Sequence, residues 1–335
     1  MSTYLLYPGC AWDSSARAYA LSTQAVCEVL GVELQPIEDW NCCGATEYLS
    51  VDTVPAYALI SRNLALAAQQ RNGSRTVTAP CSLCYLNLNK ADHFLSENPA
   101  LNDKVNRALA AGGMRYQPGS LQVRHLLDIM LNDVGLEAIR AHVTRPLHGL
   151  RVAPYLGCLL ARPDYHKRFS SPNQPYELDR LLAALGAEVV DYPLRTQCCG
   201  GHMTQIGPET AYELLRRLLH GAAQYSAHVI ATVCPMCQLN LDAYQGDVNR
   251  HFGTHFQIPV LFFTQLMGLA FGLEASVLGF GMELVEARGA LAHLGEAAPS
   301  MQEPPSKAAR RRKEKSEGLP MPPMPAESPT SEEKS

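Results

Sequence analysis

The apolar positions of this chain fall into short runs that alternate with longer helical patterns, and the whole alternation occurs twice. The opening stretch, Met-Ser-Thr-Tyr-Leu-Leu-Tyr-Pro, reads as a buried strand that ends in Leu-Tyr-Pro-Gly-Cys at 6–10, and a second apolar strand ends in Pro-Tyr-Leu-Gly-Cys at 154–158. A helical pattern follows each and closes on Leu-Gly, at Leu30-Gly31 and Leu185-Gly186, glycine being suited to a helix C-terminus. Then comes a β-rich run, 32–37 or 187–192, which reaches Cys-Cys-Gly. A second helix, 54–70 or 208–224, leads to a strand, 76–79 or 229–233, that delivers Cys-x-x-Cys. Residues from about 100 to 148 read as a bridge between the halves, helical over 123–131, and after about residue 273 the periodic signal weakens.

Strands alternating with helices predict an α/β fold of two tandem repeated βαβ-type domains with mainly parallel sheets, related by a pseudo-twofold. The expected organisation is a first cysteine-rich domain over 1–148, a second over 149–275 and a weakly structured to disordered tail over 276–335. The tail is rich in Pro, Ser, Glu and Lys and carries Arg310-Arg311-Arg312-Lys313, a composition that cannot bury a core. In parallel sheets, ligand sites form beyond the carboxyl ends of the strands, so cysteines distant in sequence are expected to converge there.

Composition narrows the function. With 335 residues, 47% of them hydrophobic, the chain can form two ordinary cores. A formal net charge of -4 gives no basic surface for nucleic acid. The N-terminus lacks the charged and apolar regions of a signal peptide, and the longest apolar segment, 258–273, is broken by Pro259, Thr264 and Gln265 and falls short of the roughly 20 residues that a bilayer crossing takes. A cytoplasmic protein without a transmembrane segment is expected. Eleven cysteines in such a chain point to metal ligation, since the cytosol keeps thiols reduced.

Ten of the eleven form two sets with one grammar. Cys10 is followed by 31 residues, the pair Cys42-Cys43, 37 residues and then Cys81-x-x-Cys84; Cys158 is followed by 39 residues, Cys198-Cys199, 34 residues and Cys234-x-x-Cys237. Five thiols exceed the four that a tetrahedral zinc takes, and adjacent cysteines in extended chain point to opposite faces. The tight cysteine run typical of cubane clusters is absent too, so a polynuclear cluster of another kind fits best, with Gly9 and Gly157 letting backbone approach it. Cys27 has no counterpart and reads as a core thiol. Asn87 and Asn240, each three residues past its Cys-x-x-Cys, are either donors to cluster sulfur or helix caps. His202 is either a proton carrier or a packing residue, and His125 beside Arg124 reads as structural.

Together with Asn41-Cys-Cys-Gly, Val123-Arg-His-Leu-Leu, Asn132-Asp-Val-Gly, Cys198-Cys-Gly-Gly, Val233-Cys-Pro-Met-Cys and Pro259-Val-Leu-Phe-Phe-Thr-Gln-Leu-Met-Gly-Leu, these sets resemble the tandem CCG cysteine-rich domains in the B subunit of heterodisulfide reductase. The resemblance covers about residues 1–275. It implies two noncubane [4Fe-4S] iron-sulfur clusters, one on each set of five cysteines, interconverting a disulfide or bound sulfur substrate and thiols. It also implies a ferredoxin-like C subunit and a flavin-containing A subunit as partners, in keeping with the absence here of any G-x-G-x-x-G or P-loop motif after a strand. The alternative is a redox relay or anchor subunit of a succinate or hydroxy-acid oxidoreductase, in which one module can carry zinc. The substrate site is expected where the modules face each other, lined by Gly44, Gly200 and Gly201.

Overall fold

Two four-stranded parallel sheets with the same strand order organise the molecule. The computed structural model describes residues 2–45, 48–71, 73–160, 162, 163, 165 and 175–295. Strands β1 (Ser2–Leu6), β2 (Val32–Pro36), β3 (Thr76–Ala79) and β4 (Gln122–His125) form one sheet in the order β2-β1-β3-β4. Strands β5 (Arg151–Tyr155), β6 (Glu188–Val189), β7 (Val229–Thr232) and β8 (Val260–Phe262) form the other in the equivalent order β6-β5-β7-β8. The α/β reading and its duplication therefore hold. In each sheet the chain leaves its first strand toward one neighbour and returns on the other side, which opens a crevice at the carboxyl ends.

In the first half, α1 (Arg17–Leu30) buries Tyr19, Val26 and Cys27 and stops at Gly31, whose φ of 66° lets its amide bond back to the carbonyls of Cys27 and Glu28. A short α2 (Tyr48–Val51) precedes α3 (Thr53–Gln70), and α4 (Ser82–Glu97) and α5 (Pro99–Ala110) follow β3. Next to β4 come α6 (Leu126–Ile129), a π-turn (Met130–Gly135) and α7 (Leu136–Ala141). The second half runs through α8 (Glu177–Ala184), α9 (Met203–Ile206), α10 (Pro208–Gln224), α11 (Pro235–Ala243), α12 (Gln245–Phe252) and α13 (Phe263–Ala270).

Two expectations change. The stretch 123–131 begins as strand, because Val123, Arg124 and His125 pair with Val77, Thr78 and Ala79; the helix starts at Leu126. Sheet pairing overrides the local helical pattern here, helped by Arg124, whose guanidinium reaches Asp128 at 2.7 Å and Asp133 at 2.6 Å inside the fold. The supposed bridge thus completes the first sheet, while α5 packs on α3. Residues 276–295, placed by sequence in the tail, lie against the second sheet's helices: α14 (Arg288–Leu291) is preceded by backbone amides of Leu284 and Val285 that donate to Asp242 at 2.8 and 3.1 Å. Residues 296–335, where the disordered tail was expected, lie outside the described residues.

The described residues form one compact unit in which the two sheets share a core. Across the boundary α1 packs on α13, with the Tyr19 and Phe262 rings stacked at 4.3 Å and the Ser22 and Thr264 hydroxyls 2.7 Å apart. No helix among the described residues is long and apolar enough to cross a membrane.

Candidate iron-sulfur site

Parallel strands place all three cysteine-bearing segments of a module on one sheet edge. Cys10, the Cys42-Cys43 pair and Cys81 follow the carboxyl ends of β1, β2 and β3; Cys158, Cys198-Cys199 and Cys234 follow β5, β6 and β7. Each Cys-x-x-Cys then opens a helix: Cys81 is the N-cap of α4 and Cys234 that of α11. The helix N-terminus favours the ionised sulfur that metal ligation needs.

The two turns bearing Cys-Cys-Gly are held alike. Tyr7 Oη donates to the carbonyl of Asn41 at 2.7 Å, and Tyr155 Oη to that of Gln197 at 2.7 Å. From the other side Asn87 Nδ2 donates to the carbonyl of Cys43 at 3.1 Å, and Asn240 Nδ2 to that of Cys199 at 3.1 Å. The two asparagines therefore position the second cysteine of each pair and do not cap helices. Asn240 alone also approaches a sulfur, Cys199 Sγ at 3.6 Å. Sequence reading missed Tyr7 and Tyr155, although the repeated Tyr-x-Gly-Cys was the signal.

Burial repeats as well. Cys43, Cys81, Cys84, Cys199, Cys234 and Cys237 are buried, whereas Cys10, Cys42 and Cys198 are exposed and Cys158 half-buried. The sulfurs form contact chains: Cys42 with Cys43, Cys43 with Cys84, Cys84 with Cys81, and in the second set Cys158 with Cys198, Cys199 with Cys237 at 3.7 Å, and Cys237 with Cys234. Cys10 lies within electrostatic reach of Cys42 and Tyr7. Cys81 and Cys234 also contact each other, so the two sets meet across the module boundary. Hydrogen bonds from neighbouring thiols split the acidities. Cys42 and Cys84 hold Cys43 down to about 4, Cys158 holds Cys198 down to about 6, and the donors Cys42, Cys84 and Cys158 are pushed up. Cys27 is elsewhere, in the core of α1, and burial pushes its thiol up to about 12.

Does such a site fit a cluster? Among the described residues no group of three or more His, Cys, Asp or Glu is disposed to hold a metal ion as it stands. The fit rests on the donor set and on the backbone around it. Ten sulfurs this close cannot all ionise unless cations come between them. Gly9 and Gly157 have φ near +75° and +73°, and a β-carbon there would lie 3.1 Å from Cys84 Sγ and 3.0 Å from Cys237 Sγ. Both glycines are thus required for backbone to pass close beneath the sulfurs, and the residues fit a bulky polynuclear group.

The glycines expected to line a cleft between the modules each face their own module or open space. Gly44 packs toward Leu59 and Ile60, Gly200 toward Ala211, and only Gly201 of the three has open space beside it. Each Cys-Cys-Gly turn lies on its own module's helix, and the boundary is filled by buried Tyr19, Cys81, His125 and Cys234. His202 is half-buried just before α9.

Comparison with known proteins agrees with this architecture. The model of the cysteine-rich domain CCG matches residues 4–89 and 152–242. The 8-methylmenaquinol:fumarate reductase membrane anchor subunit of Wolinella succinogenes is 35% identical over 85% of this chain and 97% of its own length. The B subunit of the ferredoxin/F(420)H(2)-dependent CoB-CoM heterodisulfide reductase of Methanosarcina acetivorans is 31% identical over 85% of this chain and 95% of its own. A protein of Archaeoglobus profundus that is itself described as like the heterodisulfide reductase B subunit is 33% identical over 82% and 92%. Among solved structures, a hypothetical protein from Helicobacter pylori shares the fold with a TM-score of 0.66 and 15% identity, covering 85% of this chain and 52% of that one.

Proposed function

Because the chain belongs to the CCG cysteine-rich domain family, carries two copies of that domain and matches the B subunits of heterodisulfide reductases, an oxidoreductase subunit follows, and we propose a specific form of it. Each module holds one noncubane [4Fe-4S] cluster, on Cys10, Cys42, Cys43, Cys81 and Cys84 or on Cys158, Cys198, Cys199, Cys234 and Cys237. The pair interconverts a disulfide, or another bound sulfur substrate, and thiols. The observation that carries this reading is that two five-cysteine sets of the same layout follow the carboxyl ends of equivalent strands, with Gly9 and Gly157 letting backbone pass close beneath Cys84 and Cys237.

When bound, two such clusters supply one electron each, enough for R–S–S–R′ + 2e⁻ + 2H⁺ → RSH + R′SH. The chain's own part is to hold and to shield. Buried Cys43, Cys81, Cys84, Cys199, Cys234 and Cys237 bind from the interior, and the tyrosine and asparagine hydrogen bonds hold the turns that carry Cys43 and Cys199. Cys10, Cys42, Cys158 and Cys198 bind on the outer side, where substrate and partners have access. His202, two residues past the second Cys-Cys-Gly, carries a proton to the thiol formed there. The electrons come from outside the chain, through a ferredoxin-like C subunit and a flavin-containing A subunit.

Metal and sulfide analysis of anaerobically purified protein tests this: about eight irons per chain are expected. Disulfide reduction with an artificial donor follows, lost in Cys199→Ala, which keeps about half the iron. Zinc without iron would sink the proposal. A second reading, relay or anchor subunit, is favoured by the fumarate reductase relative. It predicts electron transfer without disulfide turnover, with one module holding iron and the other a cluster or zinc.

A further inference from the structure

The module boundary breaks the repeat at one position. Strands β4 and β8 end on equivalent rungs, Ala79 opposite His125 and Thr232 opposite Phe262, so His125 and Phe262 occupy the same place in the two sheets. In the second module a phenyl ring stacks on Tyr19; in the first an imidazole stands there with no exposed surface. Two contacts fix that imidazole. Nδ1 accepts from the Leu127 amide at 3.1 Å, and the ring stands edge-on to Tyr85, with centroids 6.1 Å apart at 84°. With Nδ1 accepting, the hydrogen sits on Nε2.

That Nε2 is buried and makes no full hydrogen bond, and the carbonyls of Pro80 and Val233 lie within electrostatic reach of the ring. These are the residues immediately before Cys81 and Cys234, one from each module. Two carbonyls converging in a dry interior repel, and a buried N–H between them offsets that repulsion. Tyr19 Oη supplies a second, longer donor to Val233, at 3.4 Å.

We propose that His125 is a positioning residue for the boundary: its Nε2–H sits between the two carbonyls and keeps the Cys-x-x-Cys turns together, so that Cys81 and Cys234 stay in contact. The importance of that contact for electron transfer rests on the cluster reading above; the positioning itself does not.

Amide hydrogen exchange on the purified full chain tests it, because local opening is read segment by segment. His125→Phe, which makes the two modules alike, is expected to speed exchange several-fold at both 81–88 and 234–241. His125→Gln, which keeps an acceptor and a donor, should restore the wild-type rates. Tyr19→Phe should speed exchange at 234–241 only. Should His125→Phe fail to fold, His125→Asn, whose donor is too short to reach the carbonyls, carries the same expectation. A change confined to 122–135, the helix start that Nδ1 caps, would overturn the proposal, as would unaltered exchange at 234–241. Iron measured on the same wild-type sample keeps the readings apart: a chain without iron counts against the clusters, whereas the exchange pattern alone decides the role of His125.

Discussion

The Tyr155 hydroxyl donates to the carbonyl of Gln197 at 2.7 Å, directly behind the Cys198-Cys199 pair, and Tyr7 repeats this behind Cys42-Cys43. Removing the hydroxyl leaves a part-buried carbonyl short of a partner. Tyr155→Phe should therefore lose about 1 kcal/mol, lowering the melting temperature by roughly 2–4 °C. If the tyrosine positions a ligand, iron should also leave the second module faster on chelator challenge, while Tyr7→Phe affects the first. Equal iron release in both variants would argue for a general packing role.

Gly9 and Gly157 offer a sharper test of close approach. An alanine at either has a strained left-handed backbone and a β-carbon against cysteine sulfur. Each substitution should cost roughly 1–3 kcal/mol and lower the iron content of its own module only. Full iron content in Gly157→Ala, measured per folded chain, would contradict the close packing described.

Asp179 gives a pH signature. Burial raises its carboxyl to about 6, against the opposing charge of Arg195 at 3.1 Å. A carboxyl whose folded value lies above its unfolded value binds its proton more tightly in the native state. Its contribution therefore favours folding as pH drops from above 6 toward 3.8, and disfavours it above 6. Urea unfolding of wild type and Asp179→Asn between pH 4 and pH 7, roughly spanning the two values, should show wild type gaining stability relative to the variant toward acid. Parallel pH profiles would refute the shift.

Gly279 tests whether the stretch after α13 belongs to the fold. Its φ is +73°, and a β-carbon there would lie 2.6 Å from the backbone of Ala18 in α1. Gly279→Ala should cost about 3 kcal/mol, seen as a lower urea midpoint. A neutral effect would mean that this stretch does not press on α1 in solution.

Much of this architecture is local and therefore legible in one dimension. Gly31 and Gly186 mark helix ends, the strands before Cys81 and Cys234 are rich in β-branched residues, and the doubled cysteine grammar shows the duplication without an alignment. Where local pattern and partner disagree, the partner decides. Val123 to His125 look helical in sequence yet pair with β3, because a sheet lacking a fourth strand gains more from ladder bonds than one turn of helix does. The fate of 276–295 was hidden for the same reason: its anchors, Asp242 and Ala18, lie far back in the chain.

The sequence by itself determined the doubled cysteine grammar, since residue type and spacing are written in the chain and the repeat states them twice. Only the tertiary structure decided how the two sets face each other. That Cys81 meets Cys234, that His125 stands where its counterpart is Phe262, and that Tyr19 of one module reaches Val233 of the other all depend on how α1 packs against α13. Contacts across a boundary between repeats leave no periodic trace, because each side satisfies its own helix or strand pattern whatever lies opposite.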